Sequence, residues 1–207
     1  MKIEHLASQP DRAGRHTVRF DDGSTMRLYR QTVEDFGLYS GLELTEEEFA
    51  KLTEAAGQMS AKMRAVRIIS ASGVTKGELE HRLIQKGENP EHSKEAVSWL
   101  SEMDLIDDAK TTRQIVERCI AKGYGLARAK QALYEKRVPK NLWEDALADY
   151  PSQDEHILSY LENHPEIRED RKARDRAINA LLRRGHTYSE IRRGMEELSL
   201  SMEEIDG

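Results

Sequence analysis

The chain has 207 residues, of which 38% are apolar, 6% aromatic and 34% charged, and its formal net charge is −6. This apolar and aromatic content is too low for one large hydrophobic core and favours several small cores. A negatively charged chain without a long basic stripe is not expected to hold bare DNA tightly at physiological salt. The N-terminus lacks the apolar core of a signal peptide, and no run approaches the roughly 18 apolar residues of a membrane span, so we expect a cytoplasmic protein.

The first 58 residues differ in pattern from the rest. Two stretches of alternating apolar and polar residues flank Asp22-Gly23, a dipeptide that predicts a β-hairpin turn. Residues 2–6 begin a similar alternation, which predicts a third strand. Thr45 and Glu48 have the spacing of a capping box and predict the start of a helix. Residues 1–58 are therefore predicted to form a small N-terminal domain of a β-hairpin and a helix.

A helical motif then recurs three times, about fifty residues apart. Each copy has an apolar pair followed, after one more residue, by a basic residue and a helix terminator. The copies are Leu83-Ile84 with Lys86-Gly87, Leu133-Tyr134 with Lys136-Arg137, and Leu181-Leu182 with Arg184-Gly185. Further start signals between the copies predict three helices per module. We therefore predict a mainly α protein in which three tandem three-helix repeats form an elongated curved array behind the N-terminal domain.

The predicted repeats cover residues 59–107, 108–150 and 151–207. The signals that locate their helices are the capping-box pairs Thr75 with Glu78, Ser152 with Glu155 and Thr187 with Glu190, and the N-cap and first-turn proline Asn89-Pro90. Helical spacing of Met59, Met63 and Val66 predicts an apolar face for the first helix. Within the third repeat, a helix is predicted to resume near Ile167.

The second repeat is the basic part of the chain. Residues 109–150 carry nine Lys and Arg against five Asp and Glu, whereas residues 1–60 carry seven against eleven. Gly123-Tyr124-Gly125 predicts a tight turn between two helices, with its tyrosine beside cations. On the alternative interpretation these cations are solvated helix faces with acidic neighbours. The candidate partner-binding residues are Lys122, Tyr124, Arg128, Lys130, Lys136, Arg137, Arg183 and Arg184.

Signatures of catalysis are absent from the sequence. The seven histidines show no metal-ligand spacing, and neither a phosphate-binding glycine loop nor a nucleophile elbow appears. We therefore predict that the chain is not an enzyme and needs no cofactor or metal. The single cysteine, Cys119, cannot form an internal disulfide and is predicted to be buried on a helix. Trp99 and Trp143 are expected to pack into the repeat cores.

Several of these motifs, taken in order, resemble the RecX family, whose members regulate the RecA recombinase. They are Leu105-Ile106-Asp107-Asp108, then Ala121-Lys122-Gly123-Tyr124-Gly125, then Leu133 with Lys136, and Leu181-Leu182-Arg183-Arg184-Gly185-His186. Residues 77–87 are similar to the opening repeat of that family, and the resemblance covers residues from about 60 to 198. Arg137 departs from the family pattern, because members usually have glycine there.

The resemblance implies a regulator of recombination, DNA repair and the SOS response. Such a protein binds along the groove of the RecA–DNA filament and limits ATP turnover, strand exchange and coprotease activity. We expect this chain to act as a monomer, without a membrane and with weak DNA contacts through its basic second repeat. The alternative is a stand-alone helical protein that binds nucleic acid, which a steep salt dependence of DNA binding without recombinase would reveal.

Overall fold

The computed structural model describes residues 1–203. Residues 204–207, the end of the predicted third repeat, lie outside the described part. The fold is mainly α-helical with a small N-terminal sheet, as predicted. Contacts divide the chain into two compact units, Met1–Ile106 and Asp107–Gly207.

The sheet opens the first unit. Its three antiparallel strands lie in the order β1 (Ile3–Leu6), β2 (Arg15–Phe20) and β3 (Thr25–Tyr29). Strands β2 and β3 flank the Asp22-Gly23 turn, and Gly23 has the positive φ of 82° that this turn requires. The predictions of the hairpin and of the third strand are both confirmed.

One face of the sheet packs against two helices, α1 (Arg30–Asp35) and the long α2 (Glu46–Ala71). The predicted capping box at the start of α2 is confirmed, since the Glu48 amide donates to the Thr45 hydroxyl and the Thr45 amide donates to the Glu48 carboxylate. The Phe20 and Phe49 rings meet edge to face with their centroids 5.2 Å apart. This aromatic pair joins the sheet to the first turns of the helix.

Helix α2 continues without interruption across residues 58 and 59, the predicted junction between the N-terminal domain and the first repeat. The division at residue 58 therefore stays a prediction. The predicted apolar face of Met59, Met63 and Val66 is only partly confirmed: Val66 packs against the core, but Met63 is 37% exposed, and Ala61 and Ala65 are the fully buried residues. Alanines occupy the buried face because small side chains allow the next helices to approach α2 closely.

The first unit is completed by α3 (Lys76–Gln85) and α4 (Pro90–Glu102). Asn89 caps α4 and Pro90 occupies its first position, as predicted. At the start of α3, the Thr75 hydroxyl accepts a hydrogen bond from the Glu78 amide at 3.1 Å. The fully buried core residues shared by these helices are Ala61, Ala65, Leu79, Leu83, Ala96 and Leu100.

The second unit has two helical clusters. Its elements are α5 (Asp108–Ala121), α6 (Leu126–Glu135), a 3₁₀ turn (Lys140–Leu142), α7 (Trp143–Leu147), α8 (Asp154–Glu162), a 3₁₀ turn (Pro165–Arg168), α9 (Arg171–Arg183) and α10 (Tyr188–Glu203). One cluster packs around Cys119 and Leu133, which confirms the burial of the cysteine, and the other packs around Leu161 and Leu181. Trp99 in the first unit and Trp143 in the second are both partly buried against their cores.

Two predicted helix starts in the third repeat need correction. Gln153 and not Ser152 is the N-cap of α8, and no side chain caps this helix; the Ser152 hydroxyl hydrogen-bonds to the Asp154 carboxylate. The helix expected to resume near Ile167 begins at Arg171, after a 3₁₀ turn that buries Ile167. The capping box of Thr187 and Glu190 is confirmed by reciprocal hydrogen bonds of 3.2 and 2.6 Å.

The three sequence motifs share one helix-end geometry. Each first apolar residue is fully buried, and its carbonyl accepts a bond that closes a Schellman turn: Glu88 amide to Leu83, Val138 amide to Leu133 and His186 amide to Leu181, at 3.1, 3.0 and 3.2 Å. The terminator that follows is left-handed in all three, at Gly87, Arg137 and Gly185. The local unit therefore recurs, and its arrangement as an elongated curved array stays a prediction.

Candidate functional site

Two glycines bring the start of α6 directly against the end of α9. The Gly125 amide donates to the Arg184 carbonyl at 2.9 Å. A Cβ atom on Gly125 would lie 2.1 Å from the Gly185 carbonyl oxygen, and one on Gly185 would lie 2.3 Å from the Arg128 nitrogen. No other residue type fits at either position without moving the backbone. The predicted tight turn after Gly123 is therefore also the place where α6 touches the end of α9, helices of the predicted second and third repeats.

This contact gathers cations from both helix ends around one surface groove of about 500 Å³, the basic groove. Its lining residues are Lys122, Tyr124, Arg128, Ala180, Arg183 and Arg184. Five of the eight predicted binding residues thus lie together, although about sixty residues of sequence separate the two groups. The cluster is a consequence of tertiary packing, because each repeat supplies only part of it.

Tyr124 is held in place from two sides. Its ring lies beside the Lys122 ammonium group, with Nζ 6.0 Å from the ring centroid, near the outer limit of a cation–π contact. Its carbonyl accepts a hydrogen bond of 2.5 Å from the Tyr150 hydroxyl. Burial raises the pKa of Tyr150 to about 12, so this hydroxyl keeps its proton and remains a donor at neutral pH.

Two arginines of the groove have partners within the protein. The Arg128 guanidinium donates to the Glu135 carboxylate at 2.9 Å, and this hydrogen bond lowers the pKa of Glu135. Arg184 lies over the Tyr160 ring at 4.8 Å from its centroid. Among the described residues, Lys122, Arg183 and Arg184 form no ion pair with a carboxylate. Their charge therefore remains available to an anionic ligand.

The other predicted binding residues lie outside the basic groove. Lys130 is exposed on α6, and Lys136 is the C-cap residue of that helix. Arg137 lines a second cleft with Tyr134, Lys140 and Trp143. The sequence analysis did not propose Tyr134 or Tyr160 as binding residues. Tyr134 could have been proposed, because it is the second residue of the apolar pair in its repeat motif.

A buried histidine lies beneath the basic groove. His186 is 4% exposed and hydrogen-bonds to the backbone of Gly123, which ties the end of α9 to the turn before α6. Burial lowers the pKa of His186, so the ring is neutral at physiological pH. Its Nδ1 atom has no hydrogen-bond partner among the described residues. The ring therefore supports the groove and contributes no charge to it.

The described residues contain no group of three or more His, Cys, Asp or Glu side chains placed to hold a metal ion. Over residues 1–203, no helix is both long and apolar enough to cross a membrane. The arrangement that remains is a cationic surface with two tyrosines at its edges. Such a surface suits recognition of an anionic macromolecule.

No family model matches the chain. Several curated relatives, however, match the chain in sequence. A protein of Vibrio parahaemolyticus named regulatory protein RecX is 27% identical over 155 residues, which span 73% of this chain and 96% of the relative. A protein of the same name from Clostridioides difficile is 26% identical over an alignment that spans 99% of this chain and 97% of the relative.

Two solved structures share the fold. A crystal structure of regulatory protein RecX superposes with a TM-score of 0.62 at 21% identity and covers 94% of this chain and 98% of its own. The structure of RecX from Lactobacillus salivarius gives a TM-score of 0.59 at 24% identity, covering 70% of this chain and 99% of its own. At these identities the structural likeness establishes the fold alone. The sequence similarity to the relative from Clostridioides difficile spans nearly the full chain.

Proposed function

We propose that this chain, whose relatives at 26–27% identity are named regulatory protein RecX, binds the RecA recombinase and its nucleoprotein filament and lowers ATPase, strand exchange and coprotease activity. In this proposal it acts in the cytoplasm as a monomer and serves recombination, DNA repair and the SOS response. It carries out no reaction of its own.

The basic groove is the observation that supports this proposal. A nucleoprotein filament exposes both protein carboxylates and DNA phosphates, and cations without internal acidic partners favour either group. Lys122, Arg183 and Arg184 are cations of this kind. The rigid backbone contact between Gly125 and Arg184 fixes the two halves of the groove before binding, which reduces the entropy lost on association.

A second candidate function is stand-alone binding of single-stranded nucleic acid. Tyr124 and Tyr160 lie beside cations of the groove, and aromatic rings among cations are the usual means of holding single strands. Binding of this kind weakens steeply with salt and needs no recombinase. A bound recombinase partner would instead retain part of its affinity at high salt through apolar contacts.

The test is the DNA-dependent ATPase of the cognate RecA recombinase with this protein titrated in, followed by strand exchange under the same conditions. Inhibition at ratios up to one protein per recombinase subunit is the expected result. A parallel titration with labelled single-stranded DNA alone measures the second candidate. Unchanged ATPase and strand exchange across the whole titration would reject the proposed function, whatever the DNA titration shows.

A further inference from the structure

Arg137 occupies a backbone conformation that glycine occupies in the two equivalent positions of this chain. Gly87 and Gly185 have φ of 86° and 89°, and Arg137 has φ of 51°. The left-handed region disfavours a residue with a Cβ atom, and arginine has no local hydrogen bond that relieves the cost, unlike asparagine or aspartate. The second repeat therefore keeps an arginine where glycine would make the helix end more stable.

Contacts within the protein do not account for this arginine. Among residues 1–198, whose side chains the structure describes, its guanidinium forms no ion pair or hydrogen bond, and its side chain is exposed. Because no contact within the protein offsets the backbone strain at this residue, a contact with a binding partner is the explanation to consider. The side chain lies along a cleft whose other lining residues are Tyr134, Glu135, Val138, Lys140 and Trp143.

The cleft combines an apolar surface with two cations. Tyr134 is 67% exposed, and the indole nitrogen of Trp143 is already bonded to the Val138 carbonyl at 3.1 Å, so Trp143 offers its ring and no donor. Lys140 lines the cleft together with Arg137, and the Glu135 carboxylate is paired with Arg128. The charge of the rim therefore favours an anionic partner with an apolar centre.

The equivalent positions of the other two motifs, which lie outside the cleft, also expose apolar side chains, and this shared feature favours a protein partner. Ile84 and Leu182, which correspond to Tyr134, are also exposed, at 39% and 41%. An exposed tyrosine suits either a nucleobase or a protein, but isoleucine and leucine have no aromatic face for a base to stack on. Aliphatic side chains beside cations are instead suited to apolar pockets on a protein surface.

We infer that the cleft around Tyr134 and Arg137 is a second docking surface, which receives a protein surface with an apolar pocket rimmed by carboxylates. Arg137 supplies the charge that pairs with the rim, and Tyr134 fills the pocket. The inference rests on the proposed function, under which this surface belongs to a recombinase subunit. The docking surface and the basic groove share no lining residue, although the ion pair between Glu135 and Arg128 links them.

The experiment measures two quantities on the full-length chain, its affinity for the cognate recombinase filament and its melting temperature. Arg137→Gly should weaken binding about tenfold while the melting temperature rises by about 2–4 °C, because the charge is lost and the backbone strain is relieved. Arg137→Lys should retain most of the affinity. Tyr134→Ser should weaken binding to a similar extent as the glycine variant, by loss of a central aromatic contact.

Matched controls come from residues of similar exposure elsewhere. Tyr188→Ser removes a tyrosine that is 63% exposed on α10, and Arg30→Ala removes an exposed arginine of the N-terminal domain. Both should bind like the parent. Unchanged affinity of Arg137→Gly, or a lower melting temperature for it, would overturn the inference while inhibition by the parent still supports the proposed function.

A further measurement tests whether the cleft binds nucleic acid instead of protein. Binding of the same variants to labelled oligothymidylate without recombinase should match that of the parent. If Arg137→Gly and Tyr134→Ser lose the oligonucleotide but keep the filament, the cleft takes nucleic acid and the docking surface proposed here is rejected. If the parent itself fails to bind recombinase, the proposed function falls and this inference falls with it.

Discussion

Gly125 and Gly185 meet backbone to backbone, and this contact joins the second repeat to the third. The Gly125 amide bonds to the carbonyl just before Gly185, at 2.9 Å, and neither glycine has room for a Cβ atom. Two helix ends whose cations would otherwise repel each other are thereby held side by side. Steric fit and a backbone hydrogen bond hold these helix ends together, and among the described residues Arg128 is the cation of the basic groove that pairs with a carboxylate, that of Glu135.

Alanine substitutions should separate strain from steric fit. Gly87→Ala should cost about 1 kcal/mol, because its left-handed φ is unfavourable but its surroundings are open. Gly125→Ala should cost about 1–3 kcal/mol by overpacking alone. Gly185→Ala carries both penalties and should be the least stable. Denaturant unfolding of the three variants measures the order, and equal losses at all three positions would contradict the close contact described here.

Reversing one cation of the basic groove should weaken binding more than reversing a cation elsewhere on the same helix. Arg183→Glu places a carboxylate in the groove, whereas Lys172→Glu changes the exposed start of α9. We expect the affinity for the filament to fall about tenfold for the first variant and to change little for the second. Affinity measured over a salt series should also show a shallower slope for Arg183→Glu. Equal effects of both variants would show that binding depends on the overall surface charge and not on the basic groove.

The charge state of His186 should link stability to pH. Burial lowers its pKa in the folded protein, so at pH below about 6.5 the unfolded chain binds a proton that the folded chain resists. The stabilising contribution is therefore complete above that pH and is lost progressively as the pH falls from there through the lower pKa of His186 in the folded protein. Melting temperatures between pH 7.5 and 5 should fall less steeply for His186→Phe than for the parent.

Cys119 should report on opening of the second unit. It is 5% exposed, and burial raises the pKa of its thiol, so both access and thiolate fraction are low in the folded state. Reaction with a thiol reagent should be about a hundredfold slower in native buffer than in denaturant. A native rate near the denatured one would show that the core around Leu133 opens readily.

Local structure was the part of this protein that its sequence predicted well. The Asp22-Gly23 hairpin, the capping boxes at Thr45 and Thr187 and the start of α4 at Pro90 were all found in the structure. Each depends on residues close together in the chain, whose hydrogen bonds form whatever the rest of the protein does. The error at Ser152 is also local, since α8 begins one residue later than predicted and the Ser152 hydroxyl bonds to the Asp154 carboxylate.

Helix faces were harder to predict. The period of the buried residues in α2 was right, but Ala61 and Ala65 and not the methionines face the core. Large apolar side chains usually mark the buried face, yet a close helix–helix approach requires small ones. The helices that pack against α2 therefore determine whether its alanine face or its methionine face is buried. The sequence of α2 alone does not contain that information.

The sequence by itself determined the class of the fold, the repeated helix-end motif and the basic character of the second repeat, because these follow from local hydrogen bonding and composition. Only the tertiary structure decided which cations share a surface. It placed Lys122 and Arg128 with Arg183 in one groove and assigned Arg137 to another. The reason is geometric: the groove exists where Gly125 and Gly185 allow two backbones to touch, and a contact between residues sixty positions apart depends on how whole helices pack.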